Sequence, residues 1–176
     1  MTIDVHIPYD LNGNIAEAYN SIMRGADSDW ALIVEHDVFV ACNPLWYRMC
    51  VEAIRGSDTI GMITCVTSGS RKRNERPQGA YLQSQSSNLD DHVEIARKCS
   101  LKYGVKVEIH DTKYMAGYFM LINKKAWQEV PFEDQGKGVH KVDQAFCQGL
   151  IDKGYHIGVM KGLYVYHRKK VRELKW

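Results

Sequence analysis

Hydrophobic and polar positions change rhythm several times along the chain, and each change marks an element. Ile3-Asp4-Val5-His6-Ile7 alternates and stops at Pro8, the pattern of a strand that runs into the loop PYDLNGN. In NIAEAYNSIMRG the period lengthens: Ile15, Ala18, Tyr19, Ile22 and Met23 share one helical face, with Asn14 placed to cap the start and Gly25 the end. Ala31 to Glu35 is apolar without alternation until its last residue, as in a strand covered on both faces. Its polar tail, Glu35-His36-Asp37, therefore emerges at the carboxyl edge of the sheet, where open α/β sheets bind ligands.

Beyond that strand, Asn43-Pro44 offers a cap and a first-turn proline to a helix whose Trp46, Met49, Cys50, Ala53 and Ile54 lie on one side. TIGMITCVT reads as the next strand. From Ser68 to Asn88 the chain loses both apolar content and period, so this stretch is expected to be a long loop. A helix over about 89–103, a strand VKVEI, and a buried strand turning into a short helix halted by Pro131 come next. After the polar FEDQGKGVHK, a helix is expected from Val142 or Asp143 to Lys153, stopped by Gly154, and then two short strands, HIGVM and LYVYH. Strand, helix, strand, helix, strand in succession predicts an α/β fold, a single-domain three-layer α/β/α sandwich around a mostly parallel sheet. Within it, residues 68–92 are expected to be a flexible polar loop joining two halves, 1–67 and 93–176.

Composition narrows the function classes. The 176 residues suit one domain with an unassisted core. A formal charge of +2 gives no global attraction to nucleic acid or membrane, so any affinity for phosphate must be local. Cys42, Cys50, Cys65, Cys99 and Cys147 form no CxxC pair, and their odd number fits small core residues in a reducing compartment. No stretch is apolar for long enough to span a bilayer, and the N-terminus lacks the build of a signal peptide. A cytoplasmic protein without nucleic-acid partners is expected.

The candidate chemistry sits at element ends. Alternate strand residues point to one side, so Glu35 and Asp37 converge if the chain stays extended through His36. Two close carboxylates suit Mg2+ or Mn2+, especially where a diphosphate completes the shell; the ordinary alternative is a helix cap or a solvated pair. His167, ending LYVYH, can add an imidazole if its strand lies beside that of Glu35, with His36, His110 and His140 weaker candidates. Asp143 opens an amphipathic helix bearing Ala145, Phe146 and Leu150, where it is either an N-cap or a general base. Arg71, Lys72, Arg73 and Arg76 form one basic cluster and Arg168, Lys169 and Lys170 another, each a solvated face or a clamp for phosphate oxygens.

In this order the pieces resemble the GT-A glycosyltransferases, particularly the family 2-like proteins that use nucleotide-sugar donors. IPYDLNGNIAEAYN looks like their opening strand, loop and first helix, and DWALIVEHDVFVACNPLW like the strand with the DxD metal motif and the helix after it. MAGYFMLINKKAWQEV is similar to the stretch lining their sugar-acceptor pocket, and VDQAFCQGLIDKGYHIGVMKGLYVYH to the xED helix and C-terminal histidine. The chain is short for the family, since only one helix separates the first strand from the acidic motif. The resemblance implies a transferase moving sugar from a nucleoside-diphosphate sugar, a UDP-sugar foremost, to a glycan or other hydroxyl acceptor. It implies Mn2+ or Mg2+ on Glu35, Asp37 and His167, and Asp143 as the base of an inverting reaction. Pro8, Tyr9 and Asp10 would line the nucleotide base and ribose, and Ala116 and Gly117 would admit the donor sugar close to the backbone. Asn14, His36 and Arg168 complete the residues expected around the donor. Two other readings stand beside this one: a nucleotidyltransferase using the acidic pair on a similar sheet, and a non-catalytic nucleotide-sugar-binding module.

Overall fold

The computed structural model describes residues 2–9, 13–68, 81–82, 86–113, 115–136 and 139–168, without side chains at 81–82 and 139–140. The expected loop at 68–88 and the basic residues Arg71, Lys72, Arg73 and Arg76 fall largely or wholly outside these residues, as do Asp10, Lys169, Lys170 and the side chain of His140.

The strands are β1 (Asp4–His6), β2 (Trp30–Val34), β3 (Val38–Phe39), β4 (Ile60–Ser68), β5 (Tyr81–Leu82), β6 (Val107–Ile109), β7 (Phe119–Asn123) and β8 (His156–His167). The helices are α1 (Ile15–Gly25), α2 (Trp46–Ala53), α3 (Leu89–Tyr103), α4 (Lys124–Glu129) and α5 (Val139–Asp152). Among the described residues the strands form one eight-stranded sheet whose main path runs β1-β2-β7-β4-β8-β3, with β5 on β4 and β6 on β8.

This sheet is mixed, which corrects the expectation of a mostly parallel one. The pairs β1–β2, β4–β5 and β4–β8 are parallel, whereas β7 runs antiparallel to both β2 and β4, and β3 and β6 run antiparallel to β8. Burial pattern alone carries no strand direction: β7 is as apolar as a parallel core strand, and only its connections reverse it.

Every residue of β2 is buried, and alternate ones enter different cores. Ala31 and Ile33 pack with Tyr19 and Met23 of α1 and with Phe146 and Leu150 of α5. Trp30, Leu32 and Val34 pack with Met49, Cys50 and Ala53 of α2. A third cluster joins Ala96 and Cys99 of α3 to Val66 and Tyr164. Helices thus cover this strand on both sides, and all five cysteines are buried and free, as small core residues.

Three boundaries differ from the sequence reading. The two final strands are one, β8, which continues through Lys161-Gly162 with a register shift against β4 between Cys65 and Val66. Gly162 is required there because the Gly104 carbonyl would lie 1.7 Å from any Cβ. Pro44 does not open a helix: residues 40–42 form a 3-10 turn, the Asn43 side chain accepts from Leu45 N–H (3.0 Å), and α2 starts at Trp46. Finally, α5 begins at Val139, so Asp143 is inside the helix and is not its cap.

Candidate functional site

Glu35 is the first residue past β2, and Asp37 follows it through a turn closed by Val38 N–H donating to the Glu35 carbonyl (3.0 Å). The two carboxylates therefore converge because the chain bends, not because it remains extended as the sequence reading supposed. Leaving the turn, the chain forms β3, whose Val38 pairs with His167 at the end of β8. That ladder delivers the imidazole: His167 Nε2 lies 3.2 Å from Glu35 Oε2 and 3.2 Å from Asp37 Oδ1.

One ligand atom from each of Glu35, Asp37 and His167 lies within 4.8 Å of the others, a grouping that could hold a metal ion. The side chains are 20%, 4% and 10% exposed respectively, so the group is recessed yet still open to solvent through Glu35. Its backbone is fixed from several directions. Glu35 N–H donates to the Tyr118 carbonyl (3.1 Å) and Arg168 N–H to the Asp37 carbonyl (2.9 Å). His167 N–H donates to Ser68 Oγ (3.3 Å). Tyr118, whose hydroxyl donates to the Cys65 carbonyl, places its ring 5.8 Å from that of His167.

Asp143 occupies the α5 side of the sheet, where it is 3% exposed. Its Oδ2 accepts from Gly117 N–H (2.8 Å), whereas Oδ1 is buried with no hydrogen-bond partner among the described residues. Burial pushes this carboxyl up to about 7; the Gly117 hydrogen bond opposes that rise, and the Glu35 charge adds to it. The carboxyl is therefore poised between its acid and base forms at neutral pH.

Gly117 has to be glycine for this contact. An added Cβ would meet Asp143 Oδ1 at 2.6 Å and Oδ2 at 2.8 Å. Gly117→Ala is expected to destabilise the protein by about 1–3 kcal/mol, the usual cost of overpacking, which urea unfolding would measure. An unchanged midpoint would mean that the carboxylate moves aside without cost.

The remaining sequence candidates are dispersed. Ala116 is half-buried beside Gly117 and packs against the α2-side core. Pro8 is half-buried and Tyr9 is 81% exposed, both just past β1. Asn14 caps α1, accepting from Glu17 N–H (3.0 Å) and donating to Asp134 Oδ2 (3.2 Å). His36 is exposed at the corner of the acidic turn, and Arg168 is exposed just after β8. The His110 backbone N–H donates to the Ile157 carbonyl, at the opposite end of β8 from His167, and this residue does not join the cluster.

Two residues escaped the sequence reading. Tyr19 entered only as part of a helical face; its signal was a hydroxyl on an otherwise apolar stripe. Ser68, read as the start of a loop, ends β4 and holds the backbone of His167.

No protein-family model and no curated protein matches the chain. Solved structures match it in fold. Among 18 such chains, residues 1–349 of S. aureus TarS superpose with a TM-score of 0.55 at 14% identity, over 88% of this chain and 40% of that one. The present chain thus spans about two fifths of that structure. At this identity the likeness is one of fold alone, a mixed α/β arrangement.

Proposed function

We propose that the chain is a metal-dependent glycosyltransferase on a GT-A-like frame, moving a sugar from a nucleoside-diphosphate sugar to an acceptor hydroxyl. The observation that carries this reading is the meeting of Glu35, Asp37 and His167, from distant parts of the sequence, on a fold of that kind. Mn2+ or Mg2+ on these residues would supply the positive charge that makes a nucleoside diphosphate a good leaving group.

Asp143 acts as the base. Gly117 N–H fixes its Oδ2, leaving Oδ1 to accept the proton of the acceptor hydroxyl. As that proton passes to Oδ1, the acceptor oxygen bonds to the anomeric carbon and the bond from that carbon to the diphosphate oxygen breaks. Attack from the side opposite the diphosphate inverts the anomeric centre. The absence of a side chain at Gly117 keeps the approach to Asp143 short, and Ala116 beside it adds only a methyl group. A UDP-sugar is the donor proposed, with Pro8, Tyr9 and Asp10 toward the nucleoside.

The test is thermal unfolding against a panel of nucleoside diphosphates and their sugars, with and without Mn2+. Ligands that bind only the folded chain raise its midpoint. A manganese-dependent rise with a uridine or guanosine diphosphate is expected, accompanied by slow hydrolysis of the corresponding nucleotide sugar. No rise with any member would overturn the reading, and a rise without hydrolysis or transfer would leave a binding module.

A further inference from the structure

Tyr19 is fully buried, and its hydroxyl has no hydrogen-bond partner among the described residues. The other deeply buried tyrosines use theirs. Tyr118 donates to the Cys65 carbonyl, and the Tyr164 hydroxyl lies 2.7 Å from His92 Nδ1. A phenol buried without a partner costs free energy that phenylalanine would avoid, so a purely packing role does not account for this oxygen.

Its position gives a reason for it. The Tyr19 ring packs on Phe132 (centroids 4.9 Å apart), which stacks on Phe146 of α5 (4.1 Å). Phe146 lies one helical turn after Asp143, on the same side of α5. Tyr19 and Asp143 therefore both belong to the seam where α1 packs against α5. Asp143 and Glu35 are also the two charges that, together with burial, raise the Tyr19 hydroxyl above its ordinary range. The seam thus holds one idle donor, Tyr19 Oη–H, and one idle acceptor, Asp143 Oδ1. An alcohol matches that pair, since it can accept one hydrogen bond and donate another.

We propose that Tyr19 positions a sugar hydroxyl, donating to its oxygen while the hydroxyl's own proton points at Asp143 Oδ1. This inference rests on the glycosyl-transfer reading above and adds to it the residue that orients the hydroxyl. The hydroxyl belongs to the transferred sugar or to the acceptor, and Tyr19→Phe distinguishes them.

Three measurements compare this variant with the wild type: unfolding of the metal-free protein, calorimetric binding of UDP, GDP and their hexose derivatives with Mn2+, and transfer to methyl glycosides. Tyr19→Phe should unfold at the same temperature or higher and bind the nucleoside diphosphate unchanged. It should lose about tenfold in affinity for the nucleotide hexose if the hydroxyl is the donor's, or show about a tenfold higher KM for the glycoside if it is the acceptor's; tenfold is the loss of one hydrogen bond of about 1.4 kcal/mol. Unchanged affinity and KM would overturn the inference alone. So would a midpoint several degrees lower, which would mean that the hydroxyl supports the fold through ordered water. A wild type that binds no nucleoside diphosphate would overturn the transferase reading and this inference with it.

Discussion

Asp37→Ala is expected to erase the manganese-dependent stabilisation by nucleoside diphosphate completely. In the wild type, ligand at a hundred times its dissociation constant adds about 2.7 kcal/mol, roughly 5–10 °C in midpoint for a chain of this size. On the proposed reading the whole of that rise would depend on the cation held by Glu35, Asp37 and His167, and Asp37 is the most enclosed of the three. Alanine leaves Glu35 and His167 in place, so the loss should appear in ligand binding while the metal-free midpoint stays near that of the wild type. A full manganese-dependent rise in the variant would place the cation elsewhere.

Asp143→Asn is expected to uncouple activity from stability. Removing a general base typically costs 10²–10⁴-fold in turnover, while nucleotide binding, which does not use this carboxylate, should persist. Stability should move the other way. The folded carboxyl titrates at about 7 and the unfolded one near 3.9, so the native state holds its proton more tightly. Below about pH 4 both states are protonated and the group costs nothing. As pH rises from about 4 to 7 only the unfolded state has released its proton, and stability falls; above 7 the full penalty remains. The shift corresponds to about 4 kcal/mol at most. Asparagine can still accept from Gly117 N–H but never ionises, so the variant's advantage in midpoint should be absent at pH 4, grow towards pH 7 and then level off. Unfolding midpoints measured across that range in the metal-free protein check this, and an advantage independent of pH would mean that the Asp143 carboxyl titrates alike in the folded and unfolded states.

Much of this arrangement was legible in the residues. The helix α3 spans the bounds expected for it, and Asn88 caps its start while Gly104 ends it. β2 and β4 were found because continuous burial leaves runs that contain no charge. What escaped has physical reasons. β3 and β5 are two residues long and carry no period, yet β3 is what brings His167 to the acidic turn. β8 read as two strands because Lys161 and Gly162 interrupt its apolar run, and that interruption marks a close backbone approach by Gly104. Asp143 looked like a cap because the residues before it are polar; in three dimensions they form the helix's first turn, and the aspartate turns inward. Strand direction, which depends on how connections cross the sheet, left no trace in composition at β7.

The imidazole arrives on the last described strand and the carboxylates on a turn near the start of the chain, so no fragment of the sheet contains the whole chelating set. Bringing such distant segments together carries a loop-closure cost that is met only once the intervening strands have docked. During refolding, cation uptake would thus be a late event, and a half-formed chain would be blind to manganese. The same three side chains would then hold the ion only in the completed fold.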